Sequence, residues 1–256
     1  STIKLPALDN HGMGTVFEEL VRKFNEANNE EAGEHWTPRD VVELMADLVF
    51  MPIAEEIKDA TYSCYDGACG TGGMLTVAQD RLETLALRRN KKVSIHLFGQ
   101  ELQPETYAIC KADMLLKGDG EQAEHIAYGS TLSADGNATR QFDFMLSNPP
   151  YGKSWKTDAD KMGGKKEILD SRFNAYLTNG EQLSMLPRVS DGQLLFLLNN
   201  VAKMKNDTPL GSRIAEVRNA SSLFSGDAGS GESNARRFLI ENDYVEAIIA
   251  LPESMF

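Results

Sequence analysis

Apolar residues recur along this chain at two alternating periods. In "TVFEELVRKFNEANNE" Val16, Leu20, Val21 and Phe24 fall at helical spacing. In "TPRDVVELMADLVF" Val41, Val42, Met45, Leu48 and Val49 form one apolar face, with Thr37 placed to cap a helix and Pro38 suited to its first position. "ATYSCYDGACGTGGML" then reads as strand, glycine-rich turn and helix, the helix running through "MLTVAQDRLETLALRRN". "VSIHLFGQEL" is a second strand ending at Glu101, "PETYAICKADMLLKG" a helix, "HIAYGSTL" a short strand and "FDFMLS" a buried strand. From Gly152 to about Ser190 the sequence is polar and without clear periodicity. "GQLLFLLNNVAKM" reads as a buried helix, "GSRIAEVRNASSLF" as a strand and loop, "SNARRFLIEND" as a helix capped by Ser233, and "VEAIIALP" as a further strand. Strands alternating with helices predict an α/β fold, a mostly parallel sheet flanked by helices on both faces.

Composition narrows the possibilities. With 256 residues, 41% of them hydrophobic, the chain can bury the core of one large α/β domain. It has no apolar run long enough for a transmembrane helix, and "STIKLPALDN" does not read as a signal peptide, so no membrane role and a cytoplasmic location are expected. Three cysteines without a C-x-x-C pair and four scattered histidines suggest reduced thiols and no metal site. A net charge of −12 argues against a protein that grips nucleic acid over its whole surface. One stretch departs from that balance. Between Tyr151 and Arg172, Lys153, Lys156, Lys161, Lys165, Lys166 and Arg172 outnumber Asp158, Asp160, Glu167 and Asp170. It reads either as a solvated loop or as one contacting a nucleic-acid backbone.

Two places carry chemistry. The first is "DGACGTGG", Asp66 to Gly73, where glycines between a strand and a helix let backbone approach a ligand closely. It is neither G-x-G-x-x-G nor a P-loop. Glu101 ends the next strand, where a carboxylate can accept hydrogen bonds from both hydroxyls of a ribose. The pair favours a nucleoside-containing cofactor without requiring a diphosphate. The second place is "NPPY", Asn148, Pro149, Pro150 and Tyr151, which terminates the fourth strand at the same carboxyl edge of the sheet. The asparagine offers an acceptor and an amide donor pair, the prolines fix the chain, and the tyrosine gives a flat face for stacking. Together they suit an amino nitrogen carried on a planar group.

"DGACGTGG", Glu101 and "NPPY", in this order, resemble an S-adenosylmethionine-dependent amino-methyltransferase. "GEHWTPRDVVELMADLV" and the ending "GSRIAEVRNASSLFSG…RRFLIENDYVEAIIALPESMF" resemble the modification subunit of type I restriction-modification systems, adenine-N6 DNA methyltransferases. The likeness runs from about Gly14 to the end of the sequence. It implies a Rossmann-like methyltransferase fold with residues 1–50 as a helical lead-in packed on a catalytic domain of residues 51–256. It implies S-adenosylmethionine as cofactor, held by Glu34, His35, Trp36, Thr37, Pro38 and Arg39 over its methionine part, by Asp66, Gly70, Thr71, Gly72 and Gly73 at the turn, by Glu101 at the ribose, and by Ser130 near the adenine. Relatives often have an acid where Ser130 stands. Asn148 and the Pro149 carbonyl would accept hydrogen bonds from adenine N6, and Tyr151 would stack on a base flipped out of DNA. Specificity and restriction subunits would be the partners. The family also has a fuller N-terminal helical domain and a last antiparallel strand beyond the "LPESMF" position.

The motif leaves other substrate classes open. Glutamine side-chain and guanine-N2 RNA methylases also use N-P-P-Y, and a cofactor-binding assembly module without activity of its own is a third reading.

Overall fold

The computed structural model describes residues 37–117, 120–176, 180 and 182–252. The helix expected around residues 16–30 and the cofactor candidates Glu34, His35 and Trp36 lie outside them.

A five-stranded parallel sheet organises the domain. Its strands are β1 (Ala60–Asp66), β2 (Val93–Glu101), β3 (Ile126–Tyr128), β4 (Phe144–Ser147) and β7 (Arg213–Glu216), in the order β3-β2-β1-β4-β7. The order reverses between β1 and β4, so the carboxyl ends of those two neighbours open a crevice, the usual ligand position in such sheets. Register places Tyr65 beside Met145 and Ser147 beside Glu216.

Strand periodicity distributes side chains to two cores. Tyr62, Cys64, Ile95, Leu97, Phe144 and Leu146 face α1 (Arg39–Phe50), α2 (Gly73–Arg88) and α3 (Pro104–Leu116). Tyr65, Phe98, Phe142 and Met145 face the other way, beneath Met204 at the end of α6 (Gln193–Ala202). The short α4 (Gly120–Glu124) leads into β3, and its Gln122 donates to the Ile95 carbonyl and accepts from Leu97 N, stitching helix to strand.

Three sequence expectations change. Thr37 does not cap α1: the helix begins at Arg39 with Pro38 in the capping position and no side-chain cap, because the Thr37 hydroxyl is engaged by Asn148 instead. α7 (Gly231–Glu241) begins earlier than Ser233, capped by Ser230, whose Oγ accepts from Ser233 N at 3.3 Å. Gly231 is required there, since a Cβ would fall 1.8 Å from the Leu186 carbonyl oxygen. The segment 244–252 forms no strand, although Val245, Ile248 and Ile249 have the composition for one. A strand needs a ladder partner, and no strand among the described residues pairs with this one. It is tied to the domain by an ion pair between Glu246 and Arg213 and by Leu251 on the core.

The stretch after the N-P-P-Y motif is folded rather than loose. It contains α5 (Lys156–Lys161) and a hairpin of β5 (Asn174–Tyr176) and β6 (Gln182–Ser184). Trp155, Ala159, Ile168, Phe173 and Met185 pack with Leu194, Leu195 and Leu198 of α6 into a core of their own. Periodicity failed to show this because its apolar residues are anchors spaced along turns.

Phe144 begins the interior strand β4, fully buried, edge-on to Phe50 with ring centroids 4.9 Å apart and 5.6 Å from Tyr62. Truncating such a side chain leaves a cavity, so Phe144→Ala is expected to cost about 3–5 kcal/mol in urea unfolding at unchanged m-value.

Candidate active site

β1 ends at Asp66, which is 2% exposed. Its Oδ1 accepts from the Ala68 amide at 2.9 Å and from the Ser147 hydroxyl at 2.8 Å. One carboxylate oxygen thus fixes the start of the glycine turn and joins it to the end of β4. The turn needs left-handed backbone at Gly70 (φ +56°) and Gly72 (φ +85°). A Cβ on Gly72 would also lie 2.8 Å from the Cys110 sulfur. Gly73 is exposed, with open space where a side chain would be.

Glu101 comes back to this turn from the adjacent strand. Its Oε2 accepts from Gly70 N at 2.9 Å and its Oε1 from Gln103 N at 2.7 Å. Asp66, Gly70, Gly72 and Glu101 are therefore one assembly. Ser130, buried after β3, accepts from Leu132 N at 3.2 Å, and the neighbouring Thr131 hydroxyl donates to the Gly67 carbonyl. The loop after β3 is thereby tied to the glycine turn.

Asn148 lies on the other side of the crevice. Its Nδ2 donates to Thr37 Oγ1 at 2.9 Å, while its Oδ1 is buried with no hydrogen-bond partner among the described residues. An orphaned buried acceptor costs about 1–3 kcal/mol, which an arriving N–H donor recovers. Pro149 is buried, and Pro150 and Tyr151 are half-buried. Gly152 (φ +68°) turns the chain and donates to Asp191 Oδ1 at 3.1 Å. Asp191 also accepts from the backbone and side chain of Gln193, whose Oε1 accepts from Asn219 N at 3.2 Å after β7.

The sequence candidates are not all gathered. Thr37 meets Asn148, and Asp66, Gly70 and Glu101 meet one another. Arg39 stands apart: its side chain is 71% exposed and pairs with Glu43 on α1 at 3.1 Å. Thr71 and Pro38 are half-buried near their turns. Arg172, counted among the basic residues after the motif, is turned inward, its side chain 12% exposed and paired with Asp135 and Asp170. Lys156, Lys161 and Lys166 of that stretch are exposed.

Sequence reasoning missed Ser147, Asp191, Gln193, Glu216 and Arg218. Glu216, at the end of β7, is paired with Arg218 and accepts from Asn200 Nδ2 at 2.9 Å. A polar residue closing an otherwise apolar strand was the available signal for Ser147, and an acid at a strand end that for Glu216. Asp191-Gly192 just before a helix was the signal for Asp191. Burial pushes the Asp66 carboxyl up to about 7, against the pull of Ala68 and Ser147, and burial likewise lifts Glu216 to about 7 against Arg218 and Asn200. No group of three or more His, Cys, Asp or Glu among the described residues could hold a metal ion, and no helix among them is long and apolar enough to cross a membrane.

A profile of N-6 DNA methylases matches residues 8–256. The chain belongs to the N-6 DNA methylase family. Among curated relatives of this family member, the MjaIX methylase subunit of a type I restriction enzyme from Methanocaldococcus jannaschii is 26% identical over 244 residues, covering 95% of this chain and 38% of that protein. The EcoEI methylase subunit from Escherichia coli is also 26% identical, over 97% of this chain and 44% of its own length. The chain thus spans about two fifths of the length of these relatives. In fold it is similar to a type I restriction-modification methyltransferase subunit from Streptococcus thermophilus, with a TM-score of 0.66, 24% identity and coverage of 92% of this chain and 45% of that one. A protein from Listeria monocytogenes assigned to the class I S-adenosylmethionine-dependent methyltransferases superposes with a TM-score of 0.63 at 17% identity, covering 98% of this chain and 67% of that one. The fold is the Rossmann-like one of S-adenosylmethionine-dependent methyltransferases, as the resemblance implies, built on the mostly parallel sheet that the element order predicts.

The raised Asp66 carboxyl makes stability depend on pH with a definite sign. The folded state holds this proton up to about 7, whereas the unfolded chain releases it near its ordinary 3.8. This contribution is complete below about pH 4 and is lost as pH rises through 7. The melting temperature of Asp66→Asn should therefore fall less than that of wild type between pH 5 and 8. Calorimetric scans of both proteins across that window check it, and parallel pH profiles would contradict the raised carboxyl.

Proposed function

We propose that the chain methylates the N6 amino group of adenine in DNA, using S-adenosylmethionine, as part of the modification subunit of a type I restriction-modification system. The observation that carries this reading is the unpartnered, buried Oδ1 of Asn148 at the end of β4, one strand away from the Asp66–Glu101 turn. An amino group is the complement of such an acceptor. The family and the type I methylase relatives support the choice of adenine in DNA over glutamine or guanine.

The residues present fit the cofactor. The left-handed glycines and the open space at Gly73 admit close approach, and the two oxygens of Glu101, already fixed by backbone amides, stand at a strand end where ribose hydroxyls are held. When bound, S-adenosylmethionine supplies a methyl group already activated by its sulfonium. The work left to the protein is alignment and electrostatics. Asn148 Oδ1 and the Pro149 carbonyl accept the N6 hydrogens, fix the nitrogen and favour the positive charge that develops on it. Thr37 holds the Asn148 amide so that its oxygen, not its nitrogen, is left for the substrate. Tyr151 gives the base a stacking face, and Asp191 fixes the turn at Gly152 that follows it. A base inside a duplex cannot reach this crevice, so it enters flipped out. With a net charge of −12, the chain draws its sequence specificity from a separate subunit, while the exposed lysines of the 153–166 stretch add salt-sensitive phosphate contacts.

Transfer of labelled methyl groups to duplex DNA, with and without a specificity subunit, tests the assignment. Label on protein or RNA in place of DNA would redirect it. Asn148→Ala should abolish transfer while leaving cofactor affinity within about twofold, since no side-chain hydrogen bond among the described residues joins Asn148 to the turn.

Glu101→Ala should weaken S-adenosylmethionine by roughly 2–4 kcal/mol in calorimetric titration, because both ribose contacts and the clamp on Gly70 go together. An unchanged dissociation constant would place the cofactor elsewhere. Tyr151→Phe should keep most activity and Tyr151→Ala lose it, because stacking needs the ring. Equal losses would exclude stacking.

A further inference from the structure

Arg172 lies in the folded stretch after Tyr151, yet its guanidinium is spent on the opposite side of the site. Nη1 donates to the Thr131 carbonyl at 2.8 Å, to Asn199 Oδ1 at 2.9 Å and to Asp135 Oδ2 at 3.2 Å. Nη2 donates to the Leu132 carbonyl at 2.8 Å and to Asp170 Oδ2 at 2.6 Å, and Nε to both Asp170 oxygens at 3.1 Å. The same guanidinium lies over the Phe173 ring, 4.7 Å from its centroid. Lys203, 2% exposed, completes the cluster by donating to Asp135 Oδ2 at 2.6 Å and to the Asn137 carbonyl at 2.8 Å. Two carboxylates and two cations compensate one another, with Asp135 and Lys203 buried and Asp170 at the edge, so the Arg172 guanidinium is not left for a phosphate.

The carbonyls that Arg172 holds belong to the loop after β3. Thr131 in that loop donates to Gly67 of the cofactor turn, and Ser130 immediately precedes it. A second contact runs in parallel, from the Ser133 hydroxyl to Asp158 of α5 at 2.6 Å. Holding Asp170 alone would stabilise the 168–173 turn. Reaching two backbone carbonyls of another loop does something more, because it makes the position of that loop depend on the position of the base-side stretch. Lysine lacks the planar fork needed for both at once.

We infer that Arg172 is a positioning residue that couples the base-side stretch 153–176 to the cofactor side of the crevice, so that the two bind their ligands with linked affinity. The inference rests on the reading of the glycine turn and Ser130 as the cofactor side. Linkage is reciprocal: ordering of the base-side stretch by DNA tightens the cofactor by the same factor as the cofactor orders that stretch.

Hydrogen exchange of the full chain with and without S-adenosylhomocysteine tests this, together with calorimetric affinities. In wild type the ligand should slow exchange in residues 66–73, in 130–137 and also in 153–176. In Arg172→Lys, which keeps the charge, the ligand-induced slowing in 153–176 should disappear while that in 66–73 persists, and the dissociation constant should rise about fivefold or more, the scale of ordinary coupling. Asp170→Asn, which leaves Thr131 and Leu132 untouched, should act in the same direction with smaller effect, and it carries the test if Arg172→Lys does not fold. A purely structural arginine would lower stability everywhere without removing the ligand-induced difference from one segment. Wild-type spread of protection in the variants, with affinity within twofold, would overturn the coupling. Failure of wild type to bind S-adenosylhomocysteine at all would instead overturn the cofactor reading, and the inference with it.

Discussion

The hydrogen bond from the Ser147 hydroxyl to Asp66 Oδ1 spans the point where the strand order reverses. Everything chemical in this domain is arranged about it. β1 delivers the glycine turn and β4 delivers Asn148, and the two strand ends stay in register because one buried carboxylate oxygen serves both. That oxygen can do so only because Ala68 N and Ser147 Oγ occupy it together, which lets a carboxyl group persist where there is little water to solvate it. The neighbouring Glu216 repeats the arrangement one strand further out, with Asn200 and Arg218 as its partners.

Much of this was legible because parallel sheets repeat a simple grammar. The strand and helix patterns from β1 to β4, the glycines after Asp66, the acid at Glu101 and the strand-stopping Asn148-Pro149-Pro150 are local signals, and each fell where the pattern put it. What stayed hidden was long-range. Thr37 has the look of a helix cap, but a hydroxyl serves the stronger demand, and here that demand is the amide of Asn148 far along the chain. Arg172 counted as one more positive charge in a basic stretch, although its five N–H donors are used inside the protein. Neither assignment can be made from spacing, since both depend on which loop arrives beside them.

The segment from 153 to 186 shows the same limit at the level of packing. Its apolar residues are few and irregularly placed, so no period emerges. Yet Trp155, whose Nε1 donates to the Arg188 carbonyl at 3.0 Å, together with Phe173 and Met185, suffices to seat it on α6. Conversely, 244–252 has a clear strand pattern and no strand, because a β-strand is a relation between two segments.

All three cysteines are buried, Cys69 within the glycine turn and Cys110 directly beneath Gly72. Burial pushes the Cys64 thiol up, and the Cys69 thiol is pushed up by its contact with Cys110 as well as by burial. As neutral thiols Cys64 and Cys69 are poor nucleophiles. Alkylating reagents and peroxides reach buried Cys69 only when the glycine turn opens, so the rate at which Cys69 is alkylated becomes a clock for local opening of that turn, readable by mass without any added label on the protein.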